Sequence, residues 1–314
     1  MFLTKNFKII ITLFLIMLFE IKNVVAVENK ILFKVDNEII TTIDIFEEIK
    51  FLKSFNPEMN NLSKTELFEI SKNSLLKNKI KKIEIMKFVK EFKVEDKFLQ
   101  NIIKHKYSKI GINSLENFKS FLKDNSLDFE VIREKLTTEL IWNDLIYQKF
   151  NKKIVIDRDK IKNEILQNSQ KENQIELLLS EISFSVNDKV DFQNKYQKIL
   201  LDIENIGFKK TALVHSKSET ATNGGVVGWV NENTLNKNVK KTISELQIGQ
   251  ISKPIRTSSG FIILKIDDKR ESVLKLNLNE KIEEIIRFKT NDQLDQFSNI
   301  YFNKVKKDLI IYGL

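Results

Sequence analysis

Cysteine is absent from this 314-residue chain, histidine and proline each occur twice, and glycine occurs only eight times. Without cysteine there can be no disulfide, no thiol nucleophile and no zinc site built on thiolates. His105 and His215 alone are too few for a histidine-built metal centre, so no metal and no cofactor is expected. Long apolar runs are equally scarce. Beyond residue 26 none reaches the length that spans a bilayer. What the chain has instead is charge, 52 basic against 43 acidic side chains for a formal +9, and a 42% hydrophobic content sufficient for a buried core.

The N-terminus has the pattern of a secretory signal. Lys5 and Lys8 precede the apolar run Ile9 to Phe19, Glu20 and Lys22 interrupt it, and Val24-Val25-Ala26 supplies small residues for cleavage after about Ala26. The alternative is an uncleaved anchor over Ile9 to Val25. Cleavage would take the formal charge from +9 to +7. An exported basic protein suits acidic unfolded polypeptide or a lipid surface better than nucleic acid. No nucleic-acid partner is expected, and no stable membrane insertion after cleavage.

Six of the eight glycines fall between Gly207 and Gly260, the densest being Asn223-Gly224-Gly225-Val226-Val227-Gly228-Trp229. In a glycine-poor chain such a cluster marks a tight turn or a close approach of backbone to something else. No Lys-Ser/Thr follows it, so it is not a phosphate-cradling P-loop.

Around this cluster the period of the apolar residues changes. Ile31 to Val35 predicts a strand, Asp36-Asn37-Glu38 a turn, and Thr41-Thr42-Ile43-Asp44 a capped helix start. Helices are predicted over about Lys64–Phe92, Val94–Ile110 with Gly111 as the stop, a short segment after Ser114, Leu127–Phe150 and Asp157–Gln170. Residues 174–270 predict a small domain of order strand, helix, glycine loop, helix, strand, strand: Gln174–Phe184, Val190–Ile206, the cluster, Val239–Leu246, the segment at Pro254-Ile255, and Gly260–Asp267. A helix over Asn279–Lys307 and an apolar strand ending at Tyr312 follow. An exposed terminal strand needs a partner, and Ile31–Val35 is available.

Three stretches resemble the parvulin peptidyl-prolyl isomerases: His215-Ser216 with Asn223-Gly224-Gly225 and Gly228-Trp229; Ile248-Gly249-Gln250-Ile251 with Pro254-Ile255; and Ser259-Gly260-Phe261-Ile262-Ile263-Leu264-Lys265. The remainder, beginning Phe33-Lys34-Val35-Asp36-Asn37-Glu38-Ile39-Ile40-Thr41, is similar to the SurA-type periplasmic chaperones. The resemblance implies an α+β protein with a signal peptide at 1–26, a helix-rich chaperone domain at 27–172, an inserted parvulin-like domain at 173–271, and a C-terminal helix and strand at 272–314 that pack back on the chaperone domain. It departs from the best-known members in having one parvulin domain where they have two.

The family's site, as the resemblance implies it, is an apolar cup for the proline ring bordered by polar side chains, usually including two histidines, a cysteine or aspartate, and a Ser/Thr. Here neither Ser180 nor Glu181 supplies the first histidine, and Ile262 stands where the second is expected. Ser218 falls at the cysteine or aspartate position, and Thr257 and Ser259 at the hydroxyl positions. Val227, Leu235 and Val239, with Ile262 and Trp229, are the expected substrate-binding residues. Two functions stay open. One is a periplasmic chaperone that binds unfolded or nascent outer-membrane polypeptides through an aromatic cradle (Phe118, Phe121, Phe129, Trp142). The other is a working isomerase acting on proline-containing peptides.

Overall fold

The computed structural model describes residues 29–168, 173–273 and 278–313. The expected signal segment lies outside the described residues. Among those described, no helix is long and apolar enough to cross a membrane.

The chain opens with a hairpin, β1 (Ile31–Val35) against β2 (Glu38–Thr41), turning at Asp36 with φ 48°. The threonine expected to cap the first helix does so. The Thr41 hydroxyl accepts from the Asp44 amide at 3.3 Å, and the Asp44 carboxylate accepts from the Thr41 amide at 2.7 Å. This starts α1 (Thr42–Phe55). A second such box, Ser63 with Glu66, starts α2 (Lys64–Ile85). α3 (Asp96–Tyr107), α4 (Leu115–Asp124), α5 (Phe129–Phe150) and α6 (Arg158–Asn168) follow, with Gly111 in the left-handed region at φ 85° between α3 and α4. α2 stops short of the predicted Phe92, because the Phe88 and Val89 amides fold back on the Ile85 carbonyl.

Phe118 is fully buried in the helical core, Phe121 and Phe129 pack half-buried against it, and Trp142 is fully buried in a separate cluster. The expected aromatic cradle is therefore interior. The aromatic rings close the interior: Phe118 stacks on Tyr107 at 5.4 Å, and Trp142 serves the contact with the C-terminal helix.

β3 (Asn173–Phe184) begins the second unit. α7 (Lys189–Ile206), α8 (Phe208–His215), β4 (Val226–Asn231), α9 (Lys237–Ile243), β5 (Ile255–Thr257) and β6 (Gly260–Val273) complete it. Its antiparallel sheet has the order β4-β3-β6-β5. Two elements differ from expectation. α8 has no counterpart in the predicted order, and the glycine cluster continues into an edge strand. Gly224 ends a 3-10 turn at φ 66°, and the chain then extends as β4.

α10 (Leu278–Asp308) returns to the helical body. Trp142 meets Tyr301 and Phe302 there, donates from Nε1 to Ser298 Oγ at 2.8 Å, and Phe150 stacks on Phe297 at 5.0 Å. The closing strand β7 (Ile311–Gly313) pairs with β1, Val35 opposite Ile311 and Phe33 opposite Gly313. The whole is an α+β molecule with two antiparallel sheets among its described residues.

Candidate functional site

β3 is the middle of the second sheet, and its alternation sorts the neighbours. Leu177 and Leu179 face one side, where they meet Val230, Leu264, Ile266, Ile255 and, from α9, Val239 and Ile243. Ile182 and Phe184 face the other, against α7 and α8 through Ile199, Phe208 and Ala212. Leu235 and Ile262 are half-buried at the margin of the first cluster. Leu235, Val239 and Ile262 thus come together on one sheet face, with Val239 the most enclosed at 7% exposed.

Val227 and Trp229 do not join them. Val227 is the extra residue where the register shifts between Leu179↔Gly228 and Ser180↔Val226. Trp229 lies opposite Leu178 on the other face, beneath the Arg270 guanidinium at 4.1 Å, and Arg270 in turn pairs with Glu176.

The hydroxyl-bearing candidates fall into two groups. Thr257 and Ser259 flank the β5–β6 turn, 3.4 Å apart. Between them Ser258 donates to Gln296 of α10 at 2.6 Å. Ser218 belongs to a separate chain. Its Oγ is 2.9 Å from that of Ser216 and 2.7 Å from that of Thr220, and Thr220 donates to Glu181 Oε1 at 3.0 Å.

Glu181 and Thr220 were not singled out from the sequence. The available signal was strand alternation, which places Glu181 on the same face as Leu179 and Ser183. Burial pushes the Glu181 carboxyl above its ordinary range, against the bonds from Thr220 and Ser218, and nearby Asp292 adds to the rise.

His215 ends α8 and has a carboxylate partner that the sequence did not reveal, Asp202 of α7 at 2.5 Å. That bond ties two helices on the far side of the sheet. His105 is exposed on α3.

The glycines serve the backbone. A Cβ on Gly225 would sit 2.2 Å from the Glu181 carbonyl oxygen, and one on Gly260 would sit 2.4 Å from that of Phe184. Both are close approaches of one strand to another.

The second unit also docks on the helical body. Leu213 of α8 lies in the helical core. Glu219 pairs with Lys77 at 2.8 Å and Lys81 at 3.5 Å, and the Asn56 amide donates to the Thr222 carbonyl at 3.1 Å. Lys77 and Lys81 hold Glu219 well below the usual carboxylate range.

Residues 175–268 match the family Rotamase, the PPIC-type PPIASE domain. Chaperone SurA of Pseudomonas putida is 27% identical over 176 residues, 52% of this chain and 40% of that protein. Chaperone SurA of Escherichia coli O6:H1 is 27% identical over 186 residues, 57% of this chain and 43% of that protein. The chain therefore aligns with less than half the length of these relatives. Among solved structures, a SurA-like chaperone of Campylobacter jejuni covers 91% of this chain and 99% of its own at 19% identity and TM-score 0.35. A PpiC-type isomerase domain covers 32% of this chain and 95% of its own at 29% identity and TM-score 0.29. The second unit is accordingly a PPIC-type rotamase domain, set in a chain that is similar to the SurA chaperones over about half its length.

Proposed function

We propose that the protein is a periplasmic chaperone, exported by a signal peptide cleaved after about Ala26, that binds unfolded outer-membrane polypeptides and takes their proline-containing segments into the rotamase domain. The observation that carries this reading is the alignment with chaperone SurA over half the chain, joined to the apolar sheet face on which Leu235, Val239 and Ile262 meet within the rotamase match. Client contact must be weak and distributed, because a tightly held client could not leave.

With Phe118 and Trp142 buried and Phe121 and Phe129 half-buried, the client surface on the helical body falls to more open apolar groups. Phe46, 50% exposed, and Ile49 line an open groove of about 540 Å³ with Lys50 and Lys53, Lys50 pairing with Glu47 of the same groove at 3.7 Å. Apolar contact framed by cations suits acidic clients. In the rotamase domain Ser218, Thr257 and Ser259 are the polar candidates, Leu235, Val239 and Ile262 the pocket, and Val227 and Trp229 an outer contact on the edge strand.

Purified protein at stoichiometric amounts is expected to delay aggregation of an unfolded β-barrel protein diluted from urea. Light scattering unchanged from the control would reject the chaperone reading.

A second reading is favoured by the hydroxyl chain that ends on Glu181, on the sheet face of the apolar cluster: the rotamase domain is an active peptidyl-prolyl isomerase and this is the main activity. Twisting the prolyl amide costs about 18–20 kcal/mol of lost conjugation, and a dry pocket with a donor near the nitrogen lowers that barrier. Acceleration of isomerisation of an Ala-Pro peptide without any effect on aggregation would favour this reading.

A further inference from the structure

The sheet of β1, β2 and β7 buries one face and leaves the other bare. On the inner face Val35 and Ile40 are fully buried, and Val35 packs with Ile80 and Val305. The register assigns the outer face. Lys34 lies between Ile39 of β2 and Tyr312 of β7 in one row across the sheet, and Ile31 lies opposite Thr41. Leu32 is the extra residue of a bulge, so Ile31 turns outward with Lys34 and not inward with Phe33. Ile310, two residues before Tyr312, projects outward as well, its carbonyl accepting from the Asp36 amide at 3.0 Å.

An antiparallel sheet with one wet face ordinarily turns polar side chains to the water. Here Ile31, Ile39, Ile310 and Tyr312 are between 44% and 57% exposed. Lys34 is the single charged group in their midst, and no carboxylate stands among these outward residues. The acids nearby in sequence are engaged. Glu38, opposite Val35 on the inner side, binds Lys79 at 2.6 Å, and the Asp36 carboxylate accepts from the Ile310 amide at 3.1 Å. Where α10 ends, just before β7, exposed Lys306 and Lys307 outnumber exposed Asp308.

Size argues against a folded partner on this face. Three strands at about 4.8 Å spacing and five residues at about 3.4 Å rise make about 250 Å², whereas a stable protein interface takes about 800 Å² from each partner. Position argues for a bilayer. Ala26 is five residues before Ile31, a reach of at most about 18 Å, so on the export reading proposed above the sheet stands at the membrane surface when the leader is cut. Aliphatic groups, a tyrosine ring and a lysine on one face are also the chemistry of the headgroup region, where the phenol and the ammonium meet phosphate and the apolar stems stay drier.

We propose that the outer face of this sheet is a peripheral docking surface for anionic phospholipid, with Ile31, Ile39, Ile310 and Tyr312 resting among the headgroups and Lys34 on a lipid phosphate. The contact is shallow and reversible, and no segment crosses the bilayer. It holds the molecule at the membrane from which its unfolded clients emerge.

The test uses the full exported protein and vesicles of two compositions, three parts phosphatidylethanolamine to one part phosphatidylglycerol, and phosphatidylcholine alone. Flotation with the anionic vesicles and not with the neutral ones is expected, weakening as salt is raised. Lys34→Glu should weaken it at least fivefold, and Ile39→Ser with Ile310→Ser should weaken it about tenfold or more, both with an unchanged thermal melt. Tyr312→Trp should add a fluorescence component quenched by brominated phosphatidylglycerol, while buried Trp142 and Trp229 of the rotamase domain are not quenched. That quenching reports contact at this face whether or not residues 1–26 remain attached, and the mass of the protein separately tests the cleavage reading. Unquenched Trp at 312 overturns the proposal, as does wild-type flotation by Lys34→Glu. A dimer in the absence of lipid that Ile39→Ser with Ile310→Ser dissolves would give the face to a second copy and also overturn it.

Discussion

Gly225 and Gly228 lie three residues apart in the same cluster, yet their side chains are missing for different reasons. At Gly225, φ is +80° and a Cβ would meet the Glu181 carbonyl at 2.2 Å and Ala212 Cβ at 2.9 Å. At Gly228, φ is +109° and the space is open. Gly225→Ala should therefore cost about 3 kcal/mol, strain and clash together, and Gly228→Ala only about 1–2 kcal/mol for strain. Thermal melts of the two variants check the difference, and equal losses would contradict it. The sequence made the glycines conspicuous, but spacing alone did not say that they face strand backbone. The converse holds for Glu181. Its identity departs from the histidine expected there, and only the strand pairing puts it on the face of the apolar cluster. Ser218 was legible as a polar site position, but its partners Ser216, Thr220 and Glu181 are brought to it by a turn whose path the sequence does not dictate.

At the scale of elements, three helices of the first unit were legible because they carry their own start signals: Thr41 with Asp44, Ser63 with Glu66, and Asp128, whose carboxylate accepts from the Glu130 and Val131 amides. α8 was not, since eight residues of Phe-Lys-Lys-Thr-Ala-Leu-Val-His give too little periodicity, and its burial comes from a neighbouring unit through Leu213. β4 was not, since glycine within a strand mimics a turn. The aromatic residues of the helical body were visible, but whether a ring faces solvent or core depends on which helix lies opposite. α10 settles this for Trp142. Truncation of that fully buried ring, with its Tyr301 and Phe302 contacts, should cost about 3–5 kcal/mol. Denaturant melts of Trp142→Ala would show it, and Trp229→Ala, with its ring 37% exposed, should lose far less.

For the whole molecule, the contact between the rotamase domain and the helical body is ionic as well as apolar, and it is sensitive to pH. Burial, then repulsion from Glu219, Asp292 and Glu181, pushes Asp295 of α10 up to about 7. A carboxyl raised in the folded state favours that state while protonated, so its contribution is complete below the unfolded value near 4 and is lost as pH rises toward 7. Glu219 is displaced the other way by Lys77 and Lys81, so its contribution is present above its unfolded value and fades only in acid below about pH 4. Between pH 5 and 8 Asp295 therefore sets the trend, and docking should loosen as pH rises. Asp295 is exposed at the surface, so solvent screens these charges and the effect on docking is small, a loosening and not an unfolding. Hydrogen exchange of the α8 amides around Leu213, which lies in the helical core, should quicken from pH 5 to pH 8 beyond its intrinsic rise in the wild type and lose that extra dependence in Asp295→Asn. A dependence that persists in the variant would place its origin elsewhere. None of this docking was legible beforehand, because the partners lie far apart in sequence, as with Lys77 and Glu219.

The pairing of β7 with β1 joins residue 33 to residue 313, which gives the chain an order of assembly as it emerges from the ribosome or a translocon. The rotamase domain is continuous between residues 173 and 273 and can close while later residues are still being delivered. The helical body cannot. Until α10 arrives, Trp142 and Phe150 lack the rings that cover them, and until residue 311 arrives β1 keeps an open edge. A protein proposed to shelter unfinished chains is thus itself left with an open edge until residues 311–313 are delivered, well after its rotamase domain.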